Sequence, residues 1–254
     1  GLYEYVPFIM PLLIFPLSIL YLVLKSTVSA QIDTRHAFET LADEVDRRSP
    51  ETAGHSRRVA LFTERCAAAM PGLSPWERQL VVWSARIHDI GNKYVAPSLA
   101  DRAGPLSDWE RDEVQRHTLY GAGLLASTAG FRSAAKIIRH HHENLDGSGY
   151  PDHLRGRQIP VGSRIIRVAE SLDAMLSNRA YRPAFSFEAA AEELRERAGT
   201  VFDPVVVEAM LSRLTPSDVA IVAQSLMADV GAQTGEKAPR SPHSLPSAPS
   251  VTLG

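Results

Sequence analysis

The hydrophobic pattern of the chain changes near residue 25. No charged residue occurs from Val6 to Leu24, and a helix of about 19 mostly apolar residues is long enough to cross the hydrocarbon core of a bilayer. A cleaved signal peptide is the main alternative, but its apolar region would be shorter, and Glu4 stands where a positive charge is expected. We therefore predict a transmembrane helix over residues 1–25, with a buried or interfacial helix as the other alternative. Because the chain begins with Gly1 rather than Met, we expect a piece of a longer protein with a truncated membrane region.

A helical period follows the apolar run. Apolar side chains recur at the i, i+3, i+4, i+7 spacing of an amphipathic helix, at Phe38, Leu41, Ala42 and Val45. We predict a connector helix over residues 26–48, which either passes a signal from the membrane to the main domain or serves as an ordinary core helix. Basic residues on the C-terminal side of the apolar run favour a main domain in the cytoplasm, at the inner membrane. These residues are Lys25, Arg35, Arg47 and Arg48.

Helix start signals dominate the rest of the chain. Capping boxes occur at Ser74–Glu77 and Ser107–Glu110, and a capping residue followed by Pro recurs at Asp203-Pro204 and Thr215-Pro216. No alternating strand pattern competes with them. We predict an all-α domain over residues 49–230, followed by a disordered tail over 231–254 that is rich in Pro, Ser, Gly and Ala.

Composition limits the partners and the compartment. The chain has 254 residues, is 44% hydrophobic and has a formal net charge of -2, which gives no signature of binding to a nucleic-acid polymer. Its single cysteine, Cys66, excludes an internal disulfide and suits a reducing cytosol. We predict a buried structural thiol there, and a reactive thiol is the alternative.

Side chains with nitrogen and oxygen donor atoms recur along the predicted domain. Such atoms are suitable ligands for iron, manganese or zinc. The segment richest in such donors runs from His140 to Pro151. It joins adjacent histidines to a glycine-rich turn that carries an aromatic residue, Tyr150, of a kind expected to be exposed. The other donors are Glu51, His55, His88, Asp89, His117 and Glu170. Taken singly, each has an ordinary structural explanation, such as a core histidine bound to a carbonyl. Taken jointly, they favour a metal site.

These motifs, in this order, resemble the HD-GYP domain family over roughly residues 48–212. The matching pieces are Glu51 to Val59, His88-Asp89-Ile90-Gly91, His117 with Gly121, His141 to Pro151, Ile159-Pro160, Arg164-Ile165, Asp173-Ala174, Arg179 to Arg182 and Phe202-Asp203-Pro204. The family is the bacterial, metal-dependent branch of the HD phosphohydrolases that degrades cyclic di-GMP. The resemblance implies an HD-domain helical bundle with two or three divalent ions, iron or manganese.

The resemblance also implies which residues bind metal. Asp89 can bridge two ions with its two oxygens while His88 binds one of them, and Glu51 with His55 stand at i and i+4 on one helix face. His117, His141, His142 and Glu170 complete the implied ligand set, and a residue equivalent to Glu51 is associated with three-metal sites. His140 falls outside the set, either near the ligands or facing solvent. We place His36, His153 and His243 on the surface.

Substrate contacts are expected from three further residues. Tyr150 can stack on a guanine or touch a phosphate. Arg179 and Arg182 can clamp phosphate oxygens, with a surface salt bridge as the alternative for either. In the family, the loop around Tyr150 also binds partner proteins, including diguanylate cyclases of the GGDEF type.

Two positions depart from the family pattern. Glu170 stands where Asp is usual, and Asn92 replaces the lysine that usually follows His-Asp-Ile-Gly, with Lys93 displaced by one residue. Asn92 keeps a hydrogen-bond donor but loses the charge that would stabilise the transition state. Lys93 can compensate only if the backbone after Gly91 is irregular.

We therefore expect a membrane-tethered cyclic di-GMP phosphodiesterase that forms linear pGpG. Whether pGpG is cleaved further to GMP, and whether the protein is a homodimer, are left open. The catalytic residues would be His88, Asp89, Asn92 and Lys93. A catalytically weakened receptor for cyclic di-GMP, or a protein-interaction module, is the second hypothesis. Hydrolysis of another cyclic nucleotide is the third.

Overall fold

The fold is known from a computed structural model, which describes residues 6–49, 52–100, 105–178 and 183–218, with side chains from residue 14 onward. In this part of the chain the α-helices are α1 (Val6–Asp46), α2 (His55–Ala69), α3 (Pro75–Arg86), α4 (Pro97–Ala100), α5 (Asp108–Gln115), α6 (His117–Ala126), α7 (Arg132–Arg139), α8 (Val161–Leu176), α9 (Phe187–Glu196) and α10 (Pro204–Leu211). Short 3₁₀ helices cover Ile90–Tyr94 and Gly156–Gln158. The described residues contain no strand, so the all-α prediction is confirmed. The predicted tail, 231–254, lies outside them.

Helix α1 runs without a break across the boundary between the two predicted N-terminal segments, from Val6 to Asp46. Its apolar side chains are exposed from Ile14 to Ile32, whereas Phe38, Ala42 and Val45 are buried. A helix covering Ile14–Asp46 is long and apolar enough to cross a membrane, a criterion that rests on length and composition alone. The last turns of α1 belong to the core of the domain, as the core-helix alternative expects.

The predicted helix caps are present. Ser74 and Ser107 each form a complete capping box, with Glu77 and Glu110 respectively. The Asp203 side chain accepts a hydrogen bond from the Val205 N–H at the start of α10. These side chains satisfy N–H groups that the first turn of a helix leaves free.

Two apolar clusters hold the helices together. The larger lies among α2, α3, α8, α9 and α10, and the smaller joins Phe38 and Ala42 of α1 to α3, α6 and α7. Cys66 is fully buried in the larger cluster and burial raises the pKa of its thiol to about 12, so the structural-thiol prediction is confirmed.

The end of α1 contacts the two segments that carry ligands. The Asp46 carboxylate accepts hydrogen bonds from the Ser56 N–H and Oγ, both at 2.8 Å, and so caps α2. The Arg48 guanidinium donates to the carbonyl oxygens of Asn92 and Lys93, at 2.6 and 3.1 Å. The end of α1 and the residues just after it are thus tied to the start of α2, where His55 lies, and to the 3₁₀ helix that follows Asp89.

Candidate metal centre

The structure brings seven of the eight predicted ligands together, mostly from helix ends. His55 and His117 are the first residues of α2 and α6, while Glu170 lies within α8. Two groups form in which the donor atoms lie within 4.8 Å of one another: Asp89, His117, His141 and His142, and His55, His88 and Glu170. Glu51, the eighth, lies outside the described residues.

The Asp89 carboxylate lies between the two groups. Its Oδ1 is 3.4 Å from His117 Nε2 and 3.8 Å from His141 Nε2. Its Oδ2 is 3.6 Å from His88 Nε2 and 4.0 Å from His55 Nε2. Burial alone would raise the pKa of Asp89, but the surrounding histidines, His88 first, hold that pKa below its usual value. Asp89 is therefore an ionised carboxylate that presents one oxygen to each group, as a bridging ligand requires.

Backbone hydrogen bonds fix the tautomers of three histidines. Each Nδ1 lies within hydrogen-bonding distance of a carbonyl oxygen: His88 with Ala85 at 2.8 Å, His117 with Val114 at 2.8 Å and His141 with Ile138 at 2.6 Å. Because a carbonyl oxygen only accepts, Nδ1 carries a proton, and Nε2 is the ring nitrogen that faces the other donors. Metal-binding histidines are oriented in this way.

His55 is oriented by a carboxylate that the sequence analysis did not assign to the site. Its Nδ1 is 2.7 Å from Asp173 Oδ2, and the same carboxylate accepts hydrogen bonds from Arg58. Burial alone would lower the pKa of His55, but the hydrogen bond and charge of Asp173, with Asp89 and Glu170, raise it to about 9. A signal was present in the sequence, since Asp173 lies one helical turn after Glu170 and so shares its face of α8.

The donor set fits a metal ion. His88 Nε2 and Glu170 Oε2 are buried atoms with no hydrogen-bond partner in the described part of the chain, a condition that usually costs about 1–3 kcal/mol for each group. His117 Nε2 and His141 Nε2 are only 3.4 Å apart, so two potential metal-binding nitrogens face each other. Burial, and then the neighbouring histidines, lower the pKa values of His141 and His142 well below the usual range. Cations would satisfy these unprotonated donors.

The glycine-rich turn packs Tyr150 onto the ligands. The Tyr150 ring stacks on His142 with centroids 4.8 Å apart and planes 27° apart, and Tyr150 is half-buried. The expectation of an exposed-type aromatic was wrong, because this stacking covers one face of the ring. Gly149 permits the turn, since a Cβ there would clash with the His142 carbonyl oxygen.

His140 lies outside the two groups and has partners of its own. His140 is buried, with Nε2 2.9 Å from Asp152 Oδ2 and Nδ1 2.8 Å from the Lys136 carbonyl oxygen. It is therefore not solvent-facing, which was one of its two expected locations. His36 and His153 are exposed as predicted, and His243 lies outside the described residues.

The residues after Gly91 do not place a lysine beside the two groups of metal-ligand atoms. They form a 3₁₀ helix in which Asn92 is half-buried and Lys93 is exposed. Lys93 Nζ is 3.7 Å from Glu44 Oε2 on α1. This position counts against the predicted compensation by Lys93, whose catalytic role stays a prediction together with that of Asn92. Arg179 and Arg182 lie outside the described residues.

A helical fold with two donor groups around a central His-Asp pair defines the class of protein, the HD-type domain. The HD domain family matches residues 39–206. Among the relatives, a 3'3'-cGAMP-specific phosphodiesterase and a cyclic di-GMP phosphodiesterase, both of Vibrio cholerae, are each 36% identical to this chain, and the matches cover 67% and 69% of it. The matches cover 33% and 39% of those relatives, so the chain spans about a third to two fifths of their length.

Solved structures show the same fold. A cyclic GMP-AMP specific phosphodiesterase of V. cholerae superposes with a TM-score of 0.55 at 19% identity, over 81% of this chain and 54% of that one. An HD-GYP protein of Bdellovibrio bacteriovorus gives a TM-score of 0.53 at 18% identity, over 65% and 52%. The chain belongs to the HD domain family, in its HD-GYP branch. The resemblance inferred from the motifs is confirmed.

Proposed function

We propose that this chain is a metal-dependent phosphodiesterase that hydrolyses cyclic di-GMP to linear pGpG and onward to GMP. The observation that carries the proposal is the position of Asp89, with one carboxylate oxygen toward each donor group. The named activities of the Vibrio relatives support the substrate class. Both are phosphodiesterases of cyclic dinucleotides.

The proposed cofactors are two or three divalent ions, iron or manganese. His55, His88 and Glu170 would hold one ion, His117, His141 and His142 another, and Asp89 would bind both; Glu51 would hold a third. When bound, such ions neutralise the charge of a phosphodiester and make hydroxide available near neutral pH. Histidine nitrogens with carboxylate oxygens are the ligands expected for these metals.

The protein's own groups would bind and orient the substrate. Burial, and then the charges of Glu170 and Asp89, raise the pKa of the Tyr150 hydroxyl, so it stays protonated and able to donate a hydrogen bond. Its ring, fixed on His142, would form one wall of the substrate site. Arg179 and Arg182 would bind phosphate oxygens, and Asn92 would donate to the leaving oxygen.

Helix α1 would anchor this domain on the cytoplasmic side of the inner membrane. Its exposed apolar side chains and its continuity with the core helix support that arrangement. We propose a transmembrane segment over 1–25, a connector over 26–48, an HD-GYP domain over 49–230 and a tail over 231–254. Diguanylate cyclases and a second copy of the chain are the proposed protein partners.

The test is turnover by the whole chain. Protein purified in detergent without oxygen would be assayed with cyclic di-GMP, by anion-exchange chromatography, before and after removal of metal by a chelator. We expect pGpG to form, to disappear with the metal and to return with added manganese or iron. A metal-loaded protein that leaves cyclic di-GMP intact would contradict the proposal.

A receptor is the second candidate function. Asn92 lacks the charge of the usual lysine, and Lys93 is paired with Glu44, so transition-state stabilisation would be weak. Saturable binding of cyclic di-GMP without any cleavage, in metal-loaded protein, would favour the receptor.

A further inference from the structure

Arg167 holds a positive charge beside the metal centre in a position that the motifs did not indicate. It lies on α8 one turn before Glu170, and residues at i and i+3 share a helix face. Its Nε donates to Asn144 Oδ1 at 3.2 Å and its Nη1 to Ser171 Oγ at 3.5 Å. Asn144 follows His142 by two residues and Ser171 follows Glu170 by one. The guanidinium thus joins two ligand-bearing segments.

Among the described residues, the partners of this guanidinium are neutral. Besides Asn144 and Ser171, the group lies over the Phe202 ring, 5.9 Å from the centroid, within the range of a cation–π contact. No carboxylate among the described residues lies within 4 Å of it. Arg164, on the same helix α8, differs in this respect, because it pairs with Asp203 at the start of α10. A half-buried guanidinium without an anion is available to bind one.

The turn that holds Arg167 is itself fixed. The N–H groups of Leu145 and Asp146 donate to the carbonyl oxygens of Val201 and Thr200, at 3.1 and 2.8 Å. Asn144 Nδ2 donates to Ser148 Oγ at 2.9 Å, which directs Oδ1 toward Arg167. Arg167 Nη2 makes no hydrogen bond to a described residue, so a donor remains for a ligand.

We propose that Arg167 binds the second, non-reacting phosphodiester of a cyclic dinucleotide. This inference rests on the proposed function, because it assumes that one phosphodiester binds at the two donor groups. A cyclic dinucleotide carries two phosphodiesters in one ring, so the other must lie close beside the centre. Arg167 supplies charge there from the segment that carries Glu170.

The test compares substrates with one and two phosphodiesters in the whole, metal-loaded protein. In Arg167→Ala we expect KM for cyclic di-GMP to rise roughly 10- to 100-fold, the scale of a lost charge-assisted hydrogen bond. KM for bis(p-nitrophenyl) phosphate, which has a single phosphodiester, should stay within about twofold of wild type, because it does not reach this charge. Metal content should be unchanged, and Arg167→Lys should recover part of the loss.

The control variant is Arg132→Ala, which removes an exposed arginine at the start of α7 and should change neither KM. Unchanged KM for cyclic di-GMP in Arg167→Ala, with an active wild type, would overturn this inference alone. Equal losses for both substrates, or a lower melting temperature that accounts for them, would show that Arg167 only supports the fold. A loss confined to cyclic di-GMP and absent for cyclic di-AMP would show contact with a base and overturn the phosphate assignment. A wild type that cleaves only bis(p-nitrophenyl) phosphate would contradict the proposed function and this inference together.

Discussion

Asp173→Asn should weaken metal binding through His55 without removing a ligand. Asp173 Oδ2 lies 2.7 Å from His55 Nδ1, and Asp173 is 1% exposed. Asparagine has the same size and keeps one oxygen acceptor, but it removes the negative charge that orients the imidazole and makes Nε2 a better donor. The group formed by His55, His88 and Glu170 should therefore lose affinity, while the group formed by His117, His141 and His142 should keep it.

The expected loss is about 10- to 100-fold in the affinity of one ion, or about 1.4–2.7 kcal/mol. We expect the lower half of that range, because the asparagine oxygen can still accept from His55. The substitution also takes an anionic partner from Arg58, whose side chain is 16% exposed. A modest fall in the melting temperature should accompany the metal effect.

The assay is chelator competition under anaerobic conditions, with manganese content measured at each chelator concentration. Asp152→Asn is the matched control, since Asp152 also binds a histidine, His140, at 2.9 Å, but that histidine belongs to neither donor group. We expect one ion to bind more weakly in Asp173→Asn and no change in Asp152→Asn. Equal effects in the two variants, or none in Asp173→Asn, would refute the reasoning.

Three further outcomes are expected. Cys66 is fully buried and its thiol has a pKa of about 12, so it should resist iodoacetamide at pH 8 in the native protein and react fully in denaturant. Intact-mass spectrometry would measure the labelling, and rapid labelling of the native protein would contradict the prediction. Gly91→Ala should destabilise the fold by about 3 kcal/mol or more, because its Cβ would lie against the His117 carbonyl oxygen; an unchanged melting temperature would refute this close approach. Lys93→Ala should leave kcat within about twofold, since an exposed pair with Glu44 contributes little; a large loss would refute this expectation and support a catalytic role for Lys93.

Local patterns in the sequence predicted the features that depend on near neighbours. The capping boxes at Ser74 and Ser107 formed as expected because their partners are three residues away. The amphipathic period correctly marked Phe38, Ala42 and Val45 as buried positions of α1. The continuity of α1 was not predicted, although residues 25–33 contain no glycine or proline to end a helix.

Contacts between distant segments were harder to predict. The grouping of the metal ligands was anticipated through the family resemblance rather than through spacing, which relates only residues on one helix. The pair formed by His55 and Asp173 is separated by 118 positions, and no local pattern joins them. The stacking of Tyr150 on His142 and the placement of Arg167 beside Asn144 likewise depend on how the turn packs.

The most direct test of the central claim is a joint measurement of metal content and cyclic di-GMP turnover in wild type and Asp89→Ala, both as the whole chain. Asp89 faces both donor groups, so its loss should affect every ion that it bridges. We expect wild type to bind at least two ions and to form pGpG, and Asp89→Ala to lose at least one ion and all turnover. Wild-type metal content with full turnover in Asp89→Ala would contradict the account.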